Sequence, residues 1–128
     1  MLPRPLSLCE SPIEKMFLQA LAAEIADFTW CDDGAWSETH RAVFAPQESV
    51  GKYRVDLAIA DFAGRPLLVV ELDGHSFHEK TKRQAQHDKS RDRALVAAGW
   101  VVLRFTGSEV YADARKCARE VIAILERR

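Results

Sequence analysis

Apolar residues recur every four positions at Ile13, Phe17, Leu21 and Ile25, with Leu18 and Ala22 beside them. One such stripe predicts a helix over roughly residues 12–28. Its start is written in Ser11-Pro12-Ile13-Glu14: Ser at the N-cap, Pro at the first helical position, Glu at the third. Residues 29–38, with Asp32-Asp33-Gly34, predict a loop. The period then changes to two. Residues 41–46 predict a short strand, and residues 52–60 a longer one. In the longer strand Tyr53, Val55, Leu57 and Ile59 face one way, and Arg54, Asp56 and Ala58 the other. Ala63-Gly64-Arg65-Pro66 turns the chain into a third strand, Leu67 to Leu72.

Residues 79–98 predict a helix closed by Gly99. Its face carries Gln84, Asp88, Arg91 and Leu95, so the side toward a sheet is partly polar, which suits a helix that lines a site. Trp100 to Phe105 reads as a strand buried on both faces. A helix crossing between two strands of one sheet makes them parallel neighbours. Ser108 or Asp113 then starts a last helix, with Cys117, Val121 and Leu125 on one face. The order is helix, three-strand meander, helix, strand, helix. The class is α/β (α+β): a mixed central sheet flanked by helices.

A chain of 128 residues with 48% apolar and 29% charged side chains fits one compact domain over residues 1–128, with residues 1–10 as an N-terminal arm. No apolar run approaches the ~20 residues of a membrane span, and the opening residues lack the apolar segment of a secretory signal. Cys9, Cys31 and Cys117 are odd in number and far apart, which predicts reduced thiols in a cytoplasmic protein.

Net charge is −1, but its distribution is uneven. Residues 10–38 hold seven acids against one lysine, whereas residues 79–93 hold six bases against three acids. That second stretch contains Lys80, Lys82, Arg83 and Arg91. It suits a phosphate-bearing partner such as DNA, and equally a solvated helix face.

The chemistry concentrates in Glu71-Leu72-Asp73-Gly74-His75-Ser76-Phe77-His78. Glu71 and Asp73 share a strand face. Pairing the strands over 52–60 and 67–72 brings Asp56 near Glu71. Carboxylates so crowded cost several kcal/mol unless protonated or bound to a cation. Mg²⁺, or Mn²⁺, is held by one or two carboxylates plus water and substrate phosphate, and such an ion activates water for in-line attack. His75 and His78 have the pKa range for proton transfer at neutral pH; they also read as loop histidines, or as part of a zinc hydrolase site. Glu14 reads as a capping residue or as an acid presented to the site.

Asp56, then Glu71-Leu72-Asp73 fifteen residues later, within this element order, resembles the PD-(D/E)XK nuclease superfamily. The stretches Tyr53 to Ile59 and Leu67 to Val110 are similar to the branch related to very-short-patch-repair endonucleases, the likeness running over roughly residues 11–126. The resemblance implies a restriction-endonuclease-like core, DNA as partner, and Mg²⁺-dependent hydrolysis of phosphodiester bonds by metal-activated water. Asp56 would bridge the metal and Glu71 would be its second ligand. Glu14 would meet metal-bound water, and His78 would stand near the scissile phosphate. Asp73 occupies the place of the motif lysine, where it can add a ligand or act as a base but not stabilise negative charge. Catalysis by a nuclease, and a nuclease-fold module that binds DNA without cutting it, both remain open at this point. So does the oligomeric state, a dimer or a protein partner included.

Overall fold

The structure is a computed structural model, and it describes residues 2–74 and 81–128. Helix α1 (Pro5–Leu8) and helix α2 (Pro12–Glu24) precede five strands: β1 (Thr29–Trp30), β2 (Ala35–Ser37), β3 (Ala42–Val50), β4 (Tyr53–Ala60) and β5 (Pro66–Asp73). Helix α3 (Lys82–Ala97), strand β6 (Val101–Thr106) and helix α4 (Gly107–Glu126) follow. The six strands form one sheet in sequence order, antiparallel from β1 to β5 and parallel between β5 and β6. This is the mixed, helix-flanked α+β sheet that the sequence predicts, compatible with a restriction-endonuclease-like core. Among the described residues no helix is long and apolar enough to cross a membrane.

Several boundaries differ, each for a local reason. The expected loop over residues 29–38 contains β1 and β2, two and three residues long, too short for alternation to show. Helix α2 stops at Glu24, because Ile25 turns extended and drops its side chain into the core. Within the N-terminal segment, α1 buries Pro5 and Leu6. Strand β6 is not buried on both faces. It is the edge of the sheet, and Val101 is 47% exposed. Gly99 does end α3 in the left-handed region, at φ 99°, with Trp100 N donating to the Leu95 carbonyl. Of the two starts foreseen for α4, Asp113 is used and Ser108 is not. Thr106 caps the first turn, and Asp113 breaks the helix and recaps it by accepting from Lys116 N.

The two faces of the sheet are unequally packed. On one, α2 and α4 bury Phe17, Leu21, Val110 and Val121 against Phe44, Ile59, Leu68, Val70 and Phe105. On the other, α3 contributes a single fully buried side chain, Leu95, against Val55, Ala58 and Val69. Gln84, expected on the inner stripe of α3, instead closes a capping box with Thr81 at its exposed start. The remainder of the α3 contact with the sheet is polar: Arg91 reaches Glu71, and Asp92 pairs with Arg104. That polar seam is where the candidate residues lie.

Candidate active site

Strands β4 and β5 pair as far as Leu57 opposite Val70, and there the ladder ends. Splitting a sheet strips backbone N–H groups of partners, and each must find a new acceptor. Here the acceptors are the carboxylates themselves. Asp56 Oδ2 accepts from Leu72 N at 2.8 Å, and Glu71 Oε1 accepts from Asp56 N at 3.4 Å. The two acids therefore hold each other's strands across the opening. The expected facing of β4 breaks at this point. Val55 packs under α3, whereas Leu57 and Ile59 pack under α2 and α4. Asp56 lies at the changeover, leaning toward Glu14, Cys9 and Leu18, while Glu71 faces α3.

Opposite Asp56, the ladder between β3 and β4 skips Gln47, whose φ is 49°. The Gln47 amide donates from Nε2 to Glu14 Oε1 at 2.7 Å and to Asp56 Oδ1 at 3.4 Å, and its Oε1 accepts from Arg54 Nε at 3.1 Å. Glu14 is buried, 7% exposed, in the first turn of α2. Its carboxylate also accepts from Ser11 Oγ at 2.8 Å and from Glu10 N at 3.2 Å. The backbone donor is thus Glu10 rather than the Ser11 N–H expected of a capping box. On the α3 side, Arg91 Nη2 donates to Glu71 Oε1 at 2.8 Å and to the Arg54 carbonyl at 2.6 Å. Its guanidinium carbon stands 5.9 Å from the centre of the Tyr53 ring. Its buried Nε has no hydrogen-bond partner among the described residues.

Burial dominates the electrostatics. Loss of water raises the Asp56 carboxyl above its ordinary range, and the Glu14 charge adds to this, against the Leu72 N–H, Arg91 and Gln47. Glu71 is pushed up to about 7 by burial first and by the Asp56 charge second, with Arg91 and Arg104 opposing. Glu71, buried, and Asp56, half-buried, both raised above their ordinary range, are a hard-oxygen pair short of positive charge. One or two carboxylates with water and phosphate is the donor set Mg²⁺ takes, so Asp56 and Glu71 fit that ion. Among the described residues there is no group of three or more His, Cys, Asp or Glu side chains arranged to hold a metal.

Of the residues expected at the site, Asp56, Glu71 and Glu14 come together. Asp73 closes β5 in register with Thr106, two positions beyond Glu71. His75, His78 and Lys80 lie outside the described residues. Lys82 and Arg83 are exposed in the first turn of α3, and Arg91 turns inward onto Glu71. Sequence reasoning missed Gln47 and Arg54. The available signal was Pro46, which cannot donate to a ladder and so marks an irregular strand position.

A family model, REase_MTES_1575, matches residues 37–125. The chain belongs to this restriction endonuclease-like family. No curated protein and no solved structure matches the chain. Membership in REase_MTES_1575 identifies a nuclease-like domain. The matched stretch takes in Gln47, Asp56, Glu71, Asp73 and Arg91 and begins after α2, so Glu14 enters the site by geometry, not by the family match.

Proposed function

We propose that residues 1–128 form one nuclease domain, a metal-dependent endodeoxyribonuclease that hydrolyses phosphodiester bonds in DNA with Mg²⁺ or Mn²⁺. The observation that carries this reading is the reciprocal Asp56–Glu71 pair at the split between β4 and β5, with both carboxyls raised by burial. Asp56 and Glu71 hold the ion, and Asp73 is a further ligand or base at the end of β5. The chemistry such an ion supplies is activation of water and neutralisation of charge on the phosphate. Glu14 orients water from the α2 side. His75 and His78 serve as proton donor and acceptor to the leaving and attacking oxygens. Lys80, Lys82 and Arg83 meet phosphates along the strand. Arg91 keeps a fixed positive charge beside Glu71, while Asp73 stands in place of the superfamily lysine. The protein acts on cytoplasmic DNA, and the likeness to very-short-patch-repair endonucleases makes mismatched duplex a substrate to assay beside plasmid.

The test is nicking of supercoiled plasmid and of mismatched duplex by pure protein with Mg²⁺ or Mn²⁺. Wild type cuts, and Asp56→Asn and Glu71→Gln do not. Wild-type protein that cuts no DNA form, and whose melting temperature ignores both metals, ends the enzymatic reading. One observation favours a second reading, a DNA-binding module without catalysis: the Arg91 guanidinium places a fixed cation 2.8 Å from Glu71 Oε1, where a metal ion would otherwise be held. That module would bind DNA without metal, with affinity falling steeply with salt, and Asp56→Asn would leave binding intact.

A further inference from the structure

Gln47 adopts the left-handed backbone region, at φ 49°, in the middle of β3. A residue other than glycine rarely does so, and the conformation persists only where its surroundings enforce it. Three side-chain hydrogen bonds accompany it here. Arg54 Nε, an obligate donor, takes the amide oxygen. That fixes the amide's orientation and leaves its NH2 group aimed at carboxylates on two different elements, Glu14 of α2 and Asp56 of β4. The helix cap does not need this link, because Ser11 Oγ and Glu10 N already bond the Glu14 carboxylate.

We infer that Gln47 is a positioning residue of the carboxylate site: its Arg54-oriented amide draws the Glu14 carboxylate to Asp56 and makes a capping glutamate a member of the site. The inference rests on the function proposed above and adds to it a residue that touches neither metal nor substrate. An amide is suited to the place because it bridges two anions with two N–H groups and adds no charge. A glutamate at position 47 would put a third anion there, and a lysine would compete with any bound cation.

The test uses the full chain as wild type, Gln47→Gly and Gln47→Asn. Glycine removes the amide while fitting the left-handed backbone, and asparagine returns a shorter amide on a residue that tolerates it. The first readout is the crystal structure of each variant, in which the Glu14 and Asp56 carboxylates are expected to separate in Gln47→Gly and to draw together again in part in Gln47→Asn. The second readout is Mn²⁺ affinity by calorimetry, expected to fall about tenfold or more in Gln47→Gly, as for other residues that orient metal ligands, and to recover in part in Gln47→Asn. An unmoved Glu14 carboxylate, or wild-type Mn²⁺ affinity in Gln47→Gly, overturns the inference and leaves Gln47 a strut between α2 and β3. A wild type that binds no Mn²⁺ sinks the metal reading of the proposed function, and the separation of the Glu14 and Asp56 carboxylates alone then decides whether Gln47 positions the acids.

Discussion

Glu71 makes the protein's stability depend on pH in a direction opposite to that of most carboxylates. A carboxyl that titrates at about 7 in the fold and at an ordinary 4.5 when unfolded binds its proton more tightly in the native state. The native state is therefore favoured while the proton is on, below about pH 4.5. That advantage is lost as pH rises through about 7. At about 1.4 kcal/mol per pH unit of separation, the loss is roughly 3 kcal/mol, a large share of a marginal fold. The perturbation is Glu71→Gln, which keeps the side chain's size and its acceptor for Arg91 and removes the titration. The assay is urea unfolding followed by circular dichroism at steps from pH 4 to pH 8.5, without metal. Asp56 also has a raised pKa but is present in both proteins, so most of its effect cancels in the difference. Wild type minus variant should fall by roughly 3 kcal/mol across the range, most steeply between about pH 5 and pH 7.5, leaving the variant the more stable protein at high pH. Adding Mn²⁺ at pH 8 should restore stability to wild type and leave Glu71→Gln unchanged. A difference that is flat with pH, or that grows as pH rises, refutes the reasoning, because it means Glu71 is fully compensated by its protein partners.

Two shorter tests probe the helix that closes the site. Leu95 is the one fully buried apolar side chain of α3 among the described residues, so Leu95→Ala should cost about 2–5 kcal/mol in urea unfolding and speed hydrogen exchange across α3 more than across α2 or α4. Lys82 and Arg83 are exposed in its first turn. Replacing both with Gln should weaken DNA binding similarly for every sequence and reduce the slope of log affinity against log salt by about two, as measured by fluorescence anisotropy.

The sequence exposed this architecture unevenly. Elements with a long hydrophobic period were readable: the Ile13–Phe17–Leu21 stripe, the apolar run into Glu71, and the crossover that makes β5 and β6 parallel. Strands β1 and β2 were not, being too short to show alternation and held by bonds outside the ladder. Asp27 accepts from Ser37 Oγ at 2.6 Å and from Thr39 N at 2.8 Å. The facing of β4 was misjudged for a reason that matters to the site. Perfect alternation assumes an uninterrupted strand, and the chain changes face at Asp56, across from a left-handed Gln47. Of the candidate residues, Asp56 and Glu71 were legible because an acid in an apolar strand is conspicuous. Gln47 was not, because nothing in a neutral amide next to a proline marks it until Glu14 and Asp56 are seen on either side of it.

Arg91 bears on two accounts of the acid pair. If Asp56 and Glu71 existed only to tie the ends of β4 and β5, their partners would be expected to satisfy them fully. Glu71 would then titrate at or below its ordinary value, as carboxylates in structural ion pairs do. Arg91 is well placed to do this, 2.8 Å from Glu71 Oε1 and largely shielded from water. Yet burial and the Asp56 charge outweigh it, and Glu71 still rises to about 7. A pair left undercompensated beside an arginine, Glu71 buried and Asp56 half-buried, lowers the stability of the fold at high pH. It is also the arrangement that makes binding of a dication favourable, since two more positive charges offset a deficit already built into the fold. On the proposed function, this charge deficit, more than the identity of the residues, is what would draw a dication to the opening between β4 and β5.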